Sequence, residues 1–161
     1  MSPAKPELKP RIDLLQVAPE GIRALGTLGA YVRHHTGLEQ RMLELVRLRA
    51  SQINGCAFCI DMHTKDARAE GETEQRLYEV SAWEEAPFFT DRERAALAWT
   101  ETITGISWKH VPDEAYEAAR KVFSEKELVD LTLAIDEINS WNRLAIAFRA
   151  VPGTYQPPAK K

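Results

Sequence analysis

Apolar residues recur every three or four positions along most of this chain, and alternating runs bounded by hairpin dipeptides are missing. That pattern restricts the fold to helices that each bury one stripe. The expectation is an all-α, single compact domain of about seven helices over residues 19–150, between an N-terminal tail (1–18) and a C-terminal tail (151–161). The first helix starts after Pro19, carries Ile22, Leu25, Leu28 and Val32 on one face and ends near Gly37. The second spans 39–51 with Met42, Leu45, Val46 and Arg49 facing inward. Asn54-Gly55 then breaks the chain, a third helix starts near Cys56, and Gly71 ends it.

A shorter helix at 73–83 precedes Pro87. Thr90 with Glu93, and Ser124 with Glu127, have the spacing of capping boxes, so helices start at Asp91 and just after Ser124. A helix at 113–122 lies between them, and the last one runs to about Arg149. Both tails are proline-rich and polar, and free to lie against a partner subunit.

At 161 residues, 44% hydrophobic and 28% charged, the chain can bury an ordinary core without disulfide staples. Its net charge of −3, with no long basic run, gives nucleic acid or an anionic membrane little to hold. The first residues lack the apolar run of a signal peptide, and no stretch approaches eighteen apolar residues. The expected location is cytoplasmic. In a reducing compartment two cysteines three positions apart point to redox chemistry or metal binding, not to a staple.

Cys56, Cys59 and His63 succeed one another at one-turn intervals and share a helical face. A thiol at a helix N-terminus has its thiolate favoured by free N–H groups and the helix dipole, lowering its pKa from about 8.5. The two sulfurs can join across one turn, so one can attack a substrate and the other close the disulfide. His63 is spaced to relay a proton. Glu44, twelve residues before Cys56, precedes the Asn54-Gly55 break, which can fold its helix antiparallel onto the cysteine helix. That makes Glu44 a candidate general base, provided burial raises its pKa.

The pattern Glu44, eleven residues, Cys56, two residues, Cys59, three residues, His63 resembles the core of the alkylhydroperoxidase D-like branch of the carboxymuconolactone decarboxylase superfamily. The similarity extends through 89–101 and 138–143, and so over about residues 20–150. The resemblance implies an all-helical fold, assembly as homotrimers or homohexamers, and a peroxiredoxin-type oxidoreductase that reduces organic hydroperoxides through a CxxC disulfide cycle. It implies that Cys59 attacks the peroxide and Cys56 resolves. It also implies that Glu44 is the proton acceptor at the end of a relay, that His63 helps activate the thiols, and that a dithiol, lipoamide or a thioredoxin-like protein, restores the pair. No cofactor or metal is implied. One departure stands out: the best-known member has a second histidine where this chain has Phe58.

Other readings compete. Cys56, Cys59, His63 and Glu44 are four ligands of the kind zinc takes, although structural zinc sites use more cysteines. The thiols could serve redox sensing or disulfide exchange with little peroxidase turnover. Glu44 and His63 could do acid–base work in a decarboxylase-like enzyme with the thiols incidental. Phe58 is either a pocket wall or a core residue. The cluster Asn139, Asn142, Arg143 is read as helix-to-helix hydrogen bonding, and Trp83, Trp99, Trp108, Trp141, Phe88 and Phe89 as packing. His34, His35 and His110 lack register with the thiols.

Overall fold

A computed structural model of the chain describes residues 8–158. Its elements are α1 (Leu14–Val17), α2 (Pro19–His35), α3 (Gln40–Asn54), α4 (Ala57–Ala69), α5 (Glu74–Glu79), a 3-10 turn (Val80–Ala82), α6 (Asp91–Thr104), α7 (Ile106–Lys109), α8 (Asp113–Arg120) and α9 (Glu125–Phe148). Seven of these helices have six residues or more. The other two, α1 and α7, are single turns, too short to show as a period in the sequence. Among the described residues none forms a strand, and no helix is long and apolar enough to cross a membrane.

Both expected capping boxes form. The side chain of Thr90 accepts from the Glu93 N–H while Glu93 reaches back to the Thr90 N–H, and Ser124 and Glu127 do the same for α9. The helix expected over 73–83 stays α-helical only to Glu79 and then tightens into the 3-10 turn. Arg94 fixes the connector after it by donating to the carbonyls of Trp83, Glu84 and Ala86.

α3 is the central helix. Val32, Leu43 and Val46 pack with Trp99, Phe123, Leu131 and Ile135 of α6, α8 and α9 and their connections. Leu45 and Leu48 pack with Ala67, Leu77, Val80 and Leu97. Ala50 joins Cys56, Cys59 and Ile138 in a third cluster. Met42 through Leu48 are buried without interruption, so α3 has no solvent stripe. The expected inward stripe is therefore too narrow, and its arginine is misplaced. Arg47 is the buried one, at 3% exposure, whereas Arg49 sits at the edge and donates to Glu101 at 2.7 Å.

Gly55 ends α3 with φ 70° and ψ 32°, a left-handed conformation that costs glycine nothing. The N–H of Gly55 donates to the Gln52 carbonyl and that of Cys56 to the Ser51 carbonyl, closing a Schellman motif. Cys56 then serves as N-cap of α4, its Sγ accepting from the Cys59 N–H at 3.3 Å. Two residues thus reverse the chain and lay α4 against α3.

The asparagines lock this reversal to α9. Asn54 Nδ2 donates to Asn139 Oδ1 and Asn142 Oδ1, both at 2.8 Å, and Asn142 Nδ2 donates to Ser51 Oγ at 3.0 Å. Of the expected tails, residues 1–7 and 159–161 lie outside the described part. The rest packs on the chain's own helices: the Arg11 N–H donates to the Phe148 carbonyl, and the Gly153 N–H to Asp61 Oδ2.

Asn142 is fully buried and holds two helices at the turn. Asn142→Ala should lower unfolding free energy by about 2 kcal/mol, from lost hydrogen bonds and a small cavity. Urea denaturation checks this, and an unchanged midpoint would contradict it.

Candidate active site

The antiparallel pair α3 and α4 brings Glu44 and His63 together. Glu44 is 5% exposed and His63 7%. Glu44 Oε2 lies 2.8 Å from His63 Nδ1, and Glu44 Oε1 accepts from Arg47 Nη1 at 2.7 Å. The alternatives left to Glu44, surface charge or buried partner, are thus decided: Glu39 is the exposed one, paired with Arg92, and Glu44 is internal.

Burial pushes the Glu44 carboxyl up, but the hydrogen bonds and charges of His63 and Arg47 outweigh it and hold the group below its ordinary 4.5. The condition set for a general base, a pKa raised by burial, is therefore not met. Glu44 is an anion at neutral pH, and an ionised carboxylate only accepts hydrogen bonds, so His63 carries its proton on Nδ1. Nε2 of His63 is left as the nitrogen that can take or give a proton.

Cys56 and Cys59 are at disulfide-bonding distance, with Cα atoms 5.3 Å apart. Both are buried, but they differ in what they face. Cys59, Phe58, Met62 and His63 line a cavity of about 800 Å³ closed by Ile138, Trp141, Leu144 and Phe148 of α9 and by the segment from Pro10 to Leu15. Cys56 is not among the lining residues and packs against Ala50 and Ile138. Phe58 resolves as a cavity wall. Trp141, expected only to pack, is a wall too. His34 and His35 are exposed, and Asn139, Asn142 and Arg143 bind helices and not the cavity.

Four site residues escaped the sequence reading. Arg47 joins Glu44 to Glu137 of α9, with Arg47 Nη2 lying 3.7 Å from Glu137 Oε2, and both line the cavity. Asp66, one turn beyond His63, accepts from the Tyr155 hydroxyl at 2.7 Å. Burial raises the Asp66 carboxyl above its ordinary range, and burial together with the Asp66 hydrogen bond raises Tyr155. Glu137 follows Asp136 directly, and the sequence does not mark which of the two turns inward. Arg47 and Tyr155 carry no such mark either.

Metal-ligand atoms converge at Glu44, His63 and Asp66, within 4.8 Å of one another. The cysteines are not in that group. The four-ligand zinc set of Cys56, Cys59, His63 and Glu44 is not what the folded chain assembles, because the sulfurs pair with each other and both Glu44 oxygens are held by Arg47 and His63.

Residues 19–102 match the model of the carboxymuconolactone decarboxylase family. The chain is 47% identical over 137 residues to the uncharacterised protein YdfG of Bacillus subtilis, covering 85% of this chain and 92% of that one. It is similar to the crystal structure of an Agrobacterium tumefaciens protein of unknown function, provisionally assigned as the antioxidant defence protein AhpD. That likeness has TM-score 0.84 and 44% identity, over 94% of this chain and all of the other. The fold is also shared with the debrominase Bmp8, in its C82A form bound to 2,3,4-tribromopyrrole. There the TM-score is 0.78 at 17% identity, over 87% of this chain and 74% of that one. With the buried Glu44–His63 pair beside a CxxC at the head of α4, these matches place the chain in the carboxymuconolactone decarboxylase family, in its AhpD-like branch.

Proposed function

We propose that the protein is a thiol peroxidase that reduces organic hydroperoxides, with Cys59 as the attacking sulfur and Cys56 as the resolving one. One observation carries this reading: Cys59 faces the cavity beside His63, while Cys56 sits behind it as the N-cap of α4. The fold alone does not carry it, because one fold hosts unrelated reactions.

In the dithiol form, the Cys59 thiolate attacks the terminal oxygen of R–O–O–H. The S–O bond forms, the O–O bond breaks, and the leaving alkoxide takes a proton to become the alcohol. The Cys56 thiolate then attacks the Cys59 sulfenic acid; the S–S bond forms, the S–O bond breaks, and hydroxide leaves as water with a second proton. Two thiols are oxidised and one peroxide is reduced. His63 is the proton carrier, through the Nε2 that its bond to Glu44 leaves free. Glu44, held as an anion, orients the ring and offsets its charge when protonated. Phe58 and the α9 wall keep bulk water from the sulfur. A dithiol of the lipoamide or thioredoxin type reduces the disulfide by exchange.

Cumene hydroperoxide with a dithiol donor tests the cycle. Turnover should vanish in Cys59→Ser. Cys56→Ser should reduce one peroxide and stall as a Cys59 sulfenic acid, visible by dimedone adduct mass. Turnover that survives Cys59→Ser sinks the reading. Disulfide formation without turnover would favour a redox sensor, and an activity indifferent to both cysteines would favour acid–base chemistry on Glu44 and His63.

The lowered pKa of Glu44 also sets a pH dependence of stability. A carboxyl depressed in the folded state stabilises it at pH values above its unfolded value near 4.5, and that contribution is lost as pH falls through the folded value. Glu44→Gln should cost about 3 kcal/mol at neutral pH by leaving Arg47 and His63 short of a partner. The gap from wild type should narrow as pH drops below 4.5, measured by denaturant melts along a pH series. A gap independent of pH would contradict the ionised carboxylate.

A further inference from the structure

Glu137 is a carboxylate with one oxygen to spare. It lies on α9, 8% exposed, in the wall of the cavity that Cys59 faces. Its Oε1 accepts from Trp141 Nε1 at 3.0 Å. Its Oε2 is buried and accepts no hydrogen bond from any described group. The nearest cation, Arg47, stands 3.7 Å away, beyond hydrogen-bond reach, and Arg47 Nη1 is committed to Glu44. Leaving a buried acceptor unmet costs about 1 to 3 kcal/mol, so the chain would be more stable with an apolar residue here unless something supplies a donor.

The backbone of α2 is shaped to admit this carboxylate. A Cβ on Gly29 would come within 2.7 Å of Glu137 Oε1, so the glycine leaves room for the acid to stand upright against the cavity. The surroundings select the donor's chemistry. The walls at Phe58, Met62, Ile138, Leu144 and Phe148 are apolar and take an apolar body. Arg47 is shared by two carboxylates, Glu44 and Glu137, and at the spare oxygen itself a ligand carboxylate would meet another carboxylate oxygen, whereas a neutral O–H supplies the donor that oxygen lacks.

We infer that Glu137 Oε2 is the substrate-reading acceptor of this cavity, binding the O–H of a neutral, apolar hydroperoxide and of its product alcohol. This rests on the peroxidase reading for which oxygen it orients. The terminal oxygen carries the hydrogen and is the atom the Cys59 thiolate attacks. A hydroperoxide is a far weaker acid than a carboxylic acid, so Glu137 accepts the hydrogen bond without taking the proton, and the O–O bond stays reactive.

The test uses a protein that cannot turn over. In Cys59→Ser, the affinities of 2-phenyl-2-propanol and of tert-butylbenzene, which replaces the hydroxyl by a methyl group, are measured by calorimetry. The two probes have nearly the same shape, so their affinity ratio reports the hydroxyl alone. Adding Glu137→Leu should shift that ratio against the alcohol by about tenfold, the worth of one hydrogen bond to a charged group. Glu137→Met should do the same, because a thioether of similar length offers the hydroxyl neither a strong acceptor nor a donor. Circular dichroism checks folding, and where Glu137→Leu is not folded the methionine variant decides. An unchanged ratio, or no detectable binding of the alcohol, overturns the inference. Because no peroxide is consumed, this result is independent of the turnover assay, and either reading can fail while the other stands.

Discussion

Glu44 is a charged group in the middle of the most buried helix of the molecule, and the surrounding structure answers to that charge. Stranding an ion in a protein interior costs several kcal/mol, which only close pairing and full hydrogen bonding repay. The repayment here comes from Arg47 on the same helix and His63 on the next, one to each oxygen. Replacing such a set by leucines is often neutral or stabilising. α3 already supplies Leu43, Leu45, Val46 and Leu48 to its core, so stability alone gives no reason for charges among them. Buried, coupled groups of this kind beside a cavity are what catalysis asks for.

The pairing depends on the turn at Gly55. A residue with a side chain is strained at φ 70°, and a straighter exit from α3 would carry the cysteines away from Glu44. The Schellman bonds end one helix and set Cys56 at the start of the next, where its sulfur receives an N–H and lies one turn from Cys59. Asn54, Asn139 and Asn142 then tie the turn to α9, the helix that forms the far wall of the cavity. Thiol pair, His63 and cavity wall are thus held by one junction of three helices.

Much of this was legible in the sequence because it is local. Caps, the Asn-Gly break and the one-turn spacing of Cys56, Cys59 and His63 are all written within a dozen residues. Glu44 was legible by its distance from a turn that reverses the chain. The losses have a common cause. A helix buried all round has no stripe to read, so the choice between Arg47 and Arg49 was made wrongly from periodicity. Glu137 and Tyr155 reach the site from some ninety residues away, through packing that no local pattern encodes. Whether Glu44 is buried is not written in its spacing, and the partners that hold its pKa down, His63 on the next helix and Arg47 beside it, act through the folded packing.

The division of labour among helices bears on how such a site can change. Charges come from α3, the sulfurs and His63 from α4, and most of the wall from α9 and the segment near the N-terminus. A substitution at Phe58, Leu144 or Phe148 alters the shape offered to a ligand and leaves the Glu44–His63 pair and the cysteine turn in place. The reverse does not hold: altering Glu44 unpairs two buried partners at once. Low dielectric strengthens this asymmetry, since each electrostatic contact of the buried Glu44, Arg47 and His63 counts for more than in water. The junction is therefore the part least free to change and the wall the part most free, with Glu137 a buried charge that α9 contributes to that wall.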